Sequence, residues 1–113
     1  NLGVTEGLEF FDKNFGFAGL TGASQSHSSL YVTRDGGTTF TELQLPLETV
    51  TELPPLAKEL NFTIENYKYC EMPKKKEDIL TIKLLTGAGE IQGIRFESKD
   101  NGETWAYAGI SVE

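Results

Sequence analysis

One short pattern occurs twice in this chain. Thr33-Arg34-Asp35-Gly36-Gly37-Thr38-Thr39-Phe40 and Ser98-Lys99-Asp100-Asn101-Gly102-Glu103-Thr104-Trp105 share the form hydroxyl–x–Asp–x–Gly–x–Thr–aromatic. An internal repeat constrains the architecture more than any single residue does, because each copy marks one supersecondary unit. Both octets read as tight turns between two strands. Asp35 and Asp100 suit the turn because a carboxylate can accept from backbone N–H groups a few residues on. Gly37 and Gly102 fall where a positive φ is expected. Thr39 and Thr104 open the next strand, where a β-branched side chain fits the pleat. Phe40 and Trp105 then send a large ring into the core beside the turn. Folding alone therefore accounts for every residue type in the motif.

The strand pattern around the octets supports the same plan. Residues 8–11 and 15–21 read as strands separated by Asp12-Lys13-Asn14, and residues 29–33 read as a third strand entering the first octet. Residues 40–45 follow as a fourth strand. A polar loop of small residues, 22–28, holds His27. Residues 79–85, 91–98 and 105–112 repeat the scheme around the second octet, with a turn at 86–90. Between the two units, Pro46 opens a different region. Residues 53–60 predict one short helical turn with proline near its start. Phe62, Ile64, Tyr67 and Tyr69 read as a long aromatic strand, and Lys74-Lys75-Lys76 as a solvated loop.

The octets resemble Asp-box (BNR) repeats, which are found in sialidases, sortilin-type receptors and related β-propellers. The first copy has Thr33 where Ser is usual and Phe40 where Trp is usual, both conservative in chemistry. The likeness covers residues 8–45 and 78–110. It implies an all-β fold of two four-stranded antiparallel propeller-type units. Within a single domain, 1–113, the first unit is 8–45, an insertion with a long strand is 46–78, and the second unit is 79–113. Propellers close with about 4–8 blades, so two units imply a compact sandwich, an incomplete propeller or a ring shared among copies. The resemblance also implies an extracellular or envelope setting. It says little about activity, since one scaffold hosts many functions.

Composition narrows the partners. A formal charge of −7 over 113 residues argues against nucleic acid. No apolar run approaches the ~20 residues of a membrane span, so membrane insertion is not expected. Cys70 is the one cysteine, which rules out an internal disulfide and a multi-cysteine zinc site. Apolar alternation around it predicts a buried, inert thiol.

Catalytic constellations are hard to assemble from these residues. A sialidase-like site needs three arginines around a substrate carboxylate, and the chain has only Arg34 and Arg95. Asp35 and Asp100 are a tempting acid pair for glycoside hydrolysis, but both have turn roles. His27 lacks a nucleophile-elbow context. The acids within each octet are too few for a calcium loop. Gly87-Ala88-Gly89 is too short to cradle phosphate. Asn61-Phe62-Thr63 fits the N-glycosylation pattern, which matters only in a secretory eukaryotic setting. No catalytic residue, metal or cofactor is therefore expected. The expected function is a non-enzymatic binding or scaffold module for a glycan or protein partner. Alternatives are a fragment of a sialidase-like hydrolase whose catalytic residues lie elsewhere, and a small oligomeric lectin. Tyr67 and Tyr69, on one face of the expected strand, are the candidate ligand surface, and the insertion is the expected working surface.

Overall fold

The computed structural model describes residues 5–20, 26–27, 29–87 and 92–111. In chain order the strands are β1 (Thr5–Phe10), β2 (Gly16–Leu20), β3 (Ser26–His27), β4 (Leu30–Thr33), β5 (Thr41–Glu42), β6 (Tyr69–Glu71), β7 (Lys74–Lys76), β8 (Ile79–Leu85), β9 (Gly93–Ser98) and β10 (Ala106–Ser111). One short helix, α1 (Pro55–Leu60), and 3-10 turns at Leu47–Thr49 and Ile64–Asn66 lie between β5 and β6. The fold is all-β, with two antiparallel sheets and neither a closed barrel nor a ring of blades.

The first sheet has the order β1-β2-β4-β5, and the second β10-β9-β8-β6-β3, with β7 also on β8. The two-unit plan holds, because each octet joins the third and fourth strands of a four-strand meander. The second sheet is nevertheless larger than four strands. β3 leaves the first unit to pair with β6, Ser26 opposite Glu71 and His27 opposite Cys70. That places Ser26 and His27 in a strand rather than the expected loop; residues 22–25 and 28 of that loop lie outside the described residues.

β6 and β7 are one interrupted strand. Cys70 faces Leu84, and Lys74 faces Thr81, so the β6–β7 side holds one residue more than β8 across the break. Buried Pro73 sits in that break. Proline has no N–H for the ladder and belongs at bulges. The three lysines are therefore a strand, not a loop. They are held by a hairpin turn in which Glu77 adopts φ 58°, as the first central residue of a two-residue turn often must.

Two other expected strands are shorter. Residues 40–45 form a strand only at Thr41–Glu42. The long aromatic strand is replaced by the 3-10 turn Ile64–Asn66, because Thr63 and Asn66 form a capping box. The Glu65 N–H donates to Thr63 Oγ1, and the Thr63 N–H donates to Asn66 Oδ1 at 2.8 Å.

Strand alternation divides each sheet into faces. In β8 the residues Leu80, Ile82 and Leu84 are buried, while Ile79, Thr81, Lys83 and Leu85 are only partly covered. The inner face of the second sheet is covered by two different partners. At one end Leu80 packs with Phe15 and Phe17 of the first sheet. At the other, Leu84, Ile94 and Phe96 pack with Ala57 of α1 and with Tyr67. Trp105 touches both clusters, its ring edge-on to Phe17 at 6.4 Å and 78°. Part of the insertion therefore covers the core, through Ala57 and Tyr67. Burying each of its large apolar side chains is worth about 1.5–3 kcal/mol.

Candidate functional site

The two octets build the same turn, bond for bond. In the first, the Thr33 hydroxyl donates to Asp35 Oδ1 at 2.8 Å and accepts from the Gly37 N–H at 2.9 Å. The Thr39 N–H donates to Asp35 Oδ1 at 2.9 Å, and the Thr39 hydroxyl to Oδ2 at 2.6 Å. In the second, Ser98, Asp100, Gly102 and Thr104 repeat these contacts at 2.8, 2.7, 2.9 and 2.5 Å. Thr33 and Ser98 are each 1% exposed, so the hydroxyl sits beneath the turn and the carboxylate above it.

Backbone geometry matches as well. Gly37 has φ 97° and Gly102 φ 86°, as expected, and the preceding Gly36 and Asn101 are also left-handed, at 72° and 61°. Asn tolerates that region better than most residues, which is why the second copy functions without a second glycine.

These hydrogen bonds stabilise the ionised carboxylates. The Thr39 hydroxyl, then the Thr39 N–H and the Thr33 hydroxyl, hold Asp35 down at about 2. Thr104 and Ser98 do the same for Asp100, also at about 2. Asp12, which sequence reasoning treated only as a strand breaker, has a related role: the Phe15 and Asn14 N–H groups, each 2.7 Å from its Oδ1, lower its pKa. The signal for it was Asp-x-Asn between two apolar runs.

The turns lie side by side, and Arg34 joins them. Its Nη2 donates to the Asn101 carbonyl at 3.2 Å, its guanidinium carbon lies 4.6 Å from the Phe15 ring centroid, and Nη1 is 3.7 Å from Glu103 Oε2. Between the octets opens a cleft of about 500 Å³. Trp105, Val32 and Leu43 supply apolar surface to it, and Arg34, Gln44 and Glu103 supply polar groups. Nothing in the one-dimensional pattern pointed to this cleft, because its walls come from segments far apart in the chain.

The other sequence candidates are dispersed. Tyr67 is 2% exposed and lies outside any strand, so alternation does not place it beside Tyr69 on an exposed face. Tyr69, in β6, is half-buried and its ring covers Gly87. Phe40 is half-buried near Gly37 and belongs to neither core cluster, unlike Trp105. Arg34 stands in the first octet's turn and Arg95 in β9, where it donates to the Ala108 carbonyl at 2.7 Å. The Cys70 thiol is pushed up to about 12 by burial. Among the described residues no group of His, Cys, Asp or Glu is arranged to hold a metal ion, and no helix is long and apolar enough to cross a membrane. No described protein family, curated protein or solved structure matches the chain.

Proposed function

We propose that this chain is a non-enzymatic binding module that takes a polar ligand, a glycan or an extended peptide, in the cleft between its two octets. The observation that carries this reading is the composition of that cleft. It combines an indole and aliphatic surface with a guanidinium, an amide and carboxylates around about 500 Å³. Concave sites with apolar walls and a few placed polar groups are where small ligands bind. Asp35 and Asp100 accept the hydrogen bonds of their turns; Asp35 also lines the cleft, with Glu42, Gln44 and Glu103. The Asp-box likeness of the octets supports an extracellular or envelope setting for such a module.

The test is a glycan and peptide screen followed by calorimetry on the hits. Gln44→Ala and Glu103→Ala are expected to weaken a genuine cleft ligand about tenfold while leaving thermal melting unchanged. Hits insensitive to both substitutions would move the site elsewhere. Turnover of a fluorogenic glycoside by this chain would favour the hydrolase-fragment reading instead.

One observation favours the oligomeric-lectin reading. Among the described residues β1 is an edge strand of the first sheet, and on one of its faces Leu8 is 61% and Phe10 37% exposed. Unprotected edges with apolar side chains promote association. Light scattering separates the readings: a stable oligomer lost on Leu8→Lys supports the lectin, and a monomer supports the single module.

A further inference from the structure

The two octets differ at the first residue of their left-handed pair, which is Gly36 in one and Asn101 in the other. Asn101 is the one asparagine of the chain that precedes a glycine; Asn14, Asn61 and Asn66 precede Phe15, Phe62 and Tyr67. It is also exposed. Asn101 and Gly102 are the central residues of a tight turn, closed where the Glu103 N–H donates to the Asp100 carbonyl at 3.3 Å.

Asparagine is a labile residue, and a glycine after it lacks the Cβ that would shield the next backbone nitrogen. The chemistry is a loss of ammonia followed by hydrolysis. The Gly102 nitrogen gives its proton to solvent base and attacks Asn101 Cγ. The N–Cγ bond forms, the Cγ–Nδ2 bond breaks with its electron pair going to nitrogen, and ammonia leaves carrying a proton from water. Water then opens the cyclic succinimide. Attack at Cγ restores the ordinary backbone with aspartate at this position. Attack at the α-carbonyl leaves isoaspartate, with the chain rerouted through the side chain.

The fold restrains the nucleophile. The Gly102 N–H donates to Ser98 Oγ at 2.7 Å, and Ser98 is 1% exposed. A nitrogen held this way neither loses its proton nor turns towards Cγ until the octet opens. The related pair Asp35-Gly36 is closed to the same reaction. There the Gly36 N–H donates to the Asn14 carbonyl at 3.0 Å, and an ionised carboxylate, bonded to Thr33 and Thr39, is a poor electrophile.

The site also matters to its surroundings. The Asn101 carbonyl accepts from Arg34 Nη2 at 3.2 Å. In the isoaspartate form that carbonyl becomes a free carboxylate and the backbone between Asp100 and Gly102 is lengthened by a carbon. The turn then loses its geometry, at a point where Gly102 and Glu103 wall the cleft.

We propose that Asn101-Gly102 is a self-modification site, where water converts asparagine to aspartate and isoaspartate at a rate gated by opening of the second octet, and that the isoaspartate form loosens the join between the octets. This holds whether or not the cleft takes a ligand.

The experiment incubates the full chain in mildly alkaline buffer, native and in urea. Peptide mass mapping locates the exchange of NH for O, and a protein isoaspartyl methyltransferase with labelled methyl donor counts isoaspartate. Conversion is expected first at Asn101, at least about tenfold slower in the native chain than in urea. Ser98→Ala, which removes the acceptor for the Gly102 N–H, should bring the native rate towards the denatured one. Hydrogen exchange at the Gly102 amide of the wild type gives the open fraction without mutation, and that fraction times the denatured rate should equal the native rate. Asn101→Gly, the residue of the first octet at this place, should abolish the product and keep its melting temperature on ageing, whereas aged wild type should melt lower. Equal rates in the native and denatured chain overturn the proposal. So do conversion at Asn14, Asn61 or Asn66 ahead of Asn101, a native rate that departs from the exchange value, no conversion in urea, or aged wild type that melts like fresh protein.

Discussion

Arg34, in the first octet, donates from Nη2 to the backbone carbonyl of Asn101 in the second, at 3.2 Å. Two turns built from local bonds are thereby linked, with the guanidinium stacked over Phe15. Arg34→Ala is expected to lower stability by about 1–2 kcal/mol, from an exposed cation–π contact and one hydrogen bond. The ion pair with Glu103 adds little, since it lies at the surface at 3.7 Å. The melting temperature should fall by roughly 4–8 °C, and Glu103→Ala should leave it nearly unchanged. Equal effects of the two substitutions would assign the link to the ion pair instead.

Acid should loosen both octets together. Asp35 and Asp100 are held at about 2 in the folded chain, against about 3.9 when unfolded. Their contribution is therefore complete above the unfolded value and lost as pH falls from about 4 towards 2. The wild-type melting temperature should drop over that window. The double variant Asp35→Asn/Asp100→Asn should start lower and show a shallower drop. Parallel pH profiles for the two proteins would refute the assignment.

Gly102 and Gly109 are both left-handed, at φ 86° and 103°, yet their surroundings differ. A Cβ on Gly102 would lie 3.0 Å from Phe15 Cζ and 3.3 Å from Arg34 Nη2, whereas one on Gly109 would meet nothing within 4 Å. Gly109→Ala should cost about 1–2 kcal/mol from backbone strain alone. Gly102→Ala should cost more, because it also disturbs the contact between the octets. Urea titration of the two variants ranks them.

Tyr67 belongs to the core, at 2% exposure beside Ala57, Leu84 and Phe96. Tyr67→Ala is expected to destabilise by about 3–5 kcal/mol, as for other large aromatic truncations in cores. Any ligand affinity should be lost only in proportion to unfolding. Selective loss of binding with an unchanged melting temperature would restore Tyr67 as a contact residue.

Cys70 should be unreactive at neutral pH. With its thiol pushed up to about 12 by burial, almost no thiolate is present. A chromogenic disulfide reagent at pH 8 should react slowly with the native chain and rapidly in denaturant. Fast native labelling would mean that β6 opens locally.

The octets were readable in one dimension because their bonds are local. Thr33, Asp35, Gly37 and Thr39 lie within seven residues, and so do Ser98, Asp100, Gly102 and Thr104, so residue type and spacing alone dictate the turn. Strands β8 and β9 were likewise legible, since alternation over six or seven residues reports one buried face. The misreadings fell where local chemistry competed with pattern. Thr63 and Asn66 cap a 3-10 turn inside an aromatic run, and Pro73 splits a strand so that three lysines become its second half.

What residue order could establish, then, was the pair of turns and the strands that flank them, because short-range hydrogen bonding and side-chain alternation need no distant partner. Tertiary packing decided the rest. The inner face of the second sheet extends beyond what the first sheet can cover, and apolar area left in water is unfavourable in proportion to its size. Residues 45–67 fold over that remainder, which brings part of the insertion into the core and withdraws Tyr67 from the surface. The same packing sets the two octets side by side and forms the cleft between them. These are long-range consequences of burying one continuous core, and no local pattern encodes them.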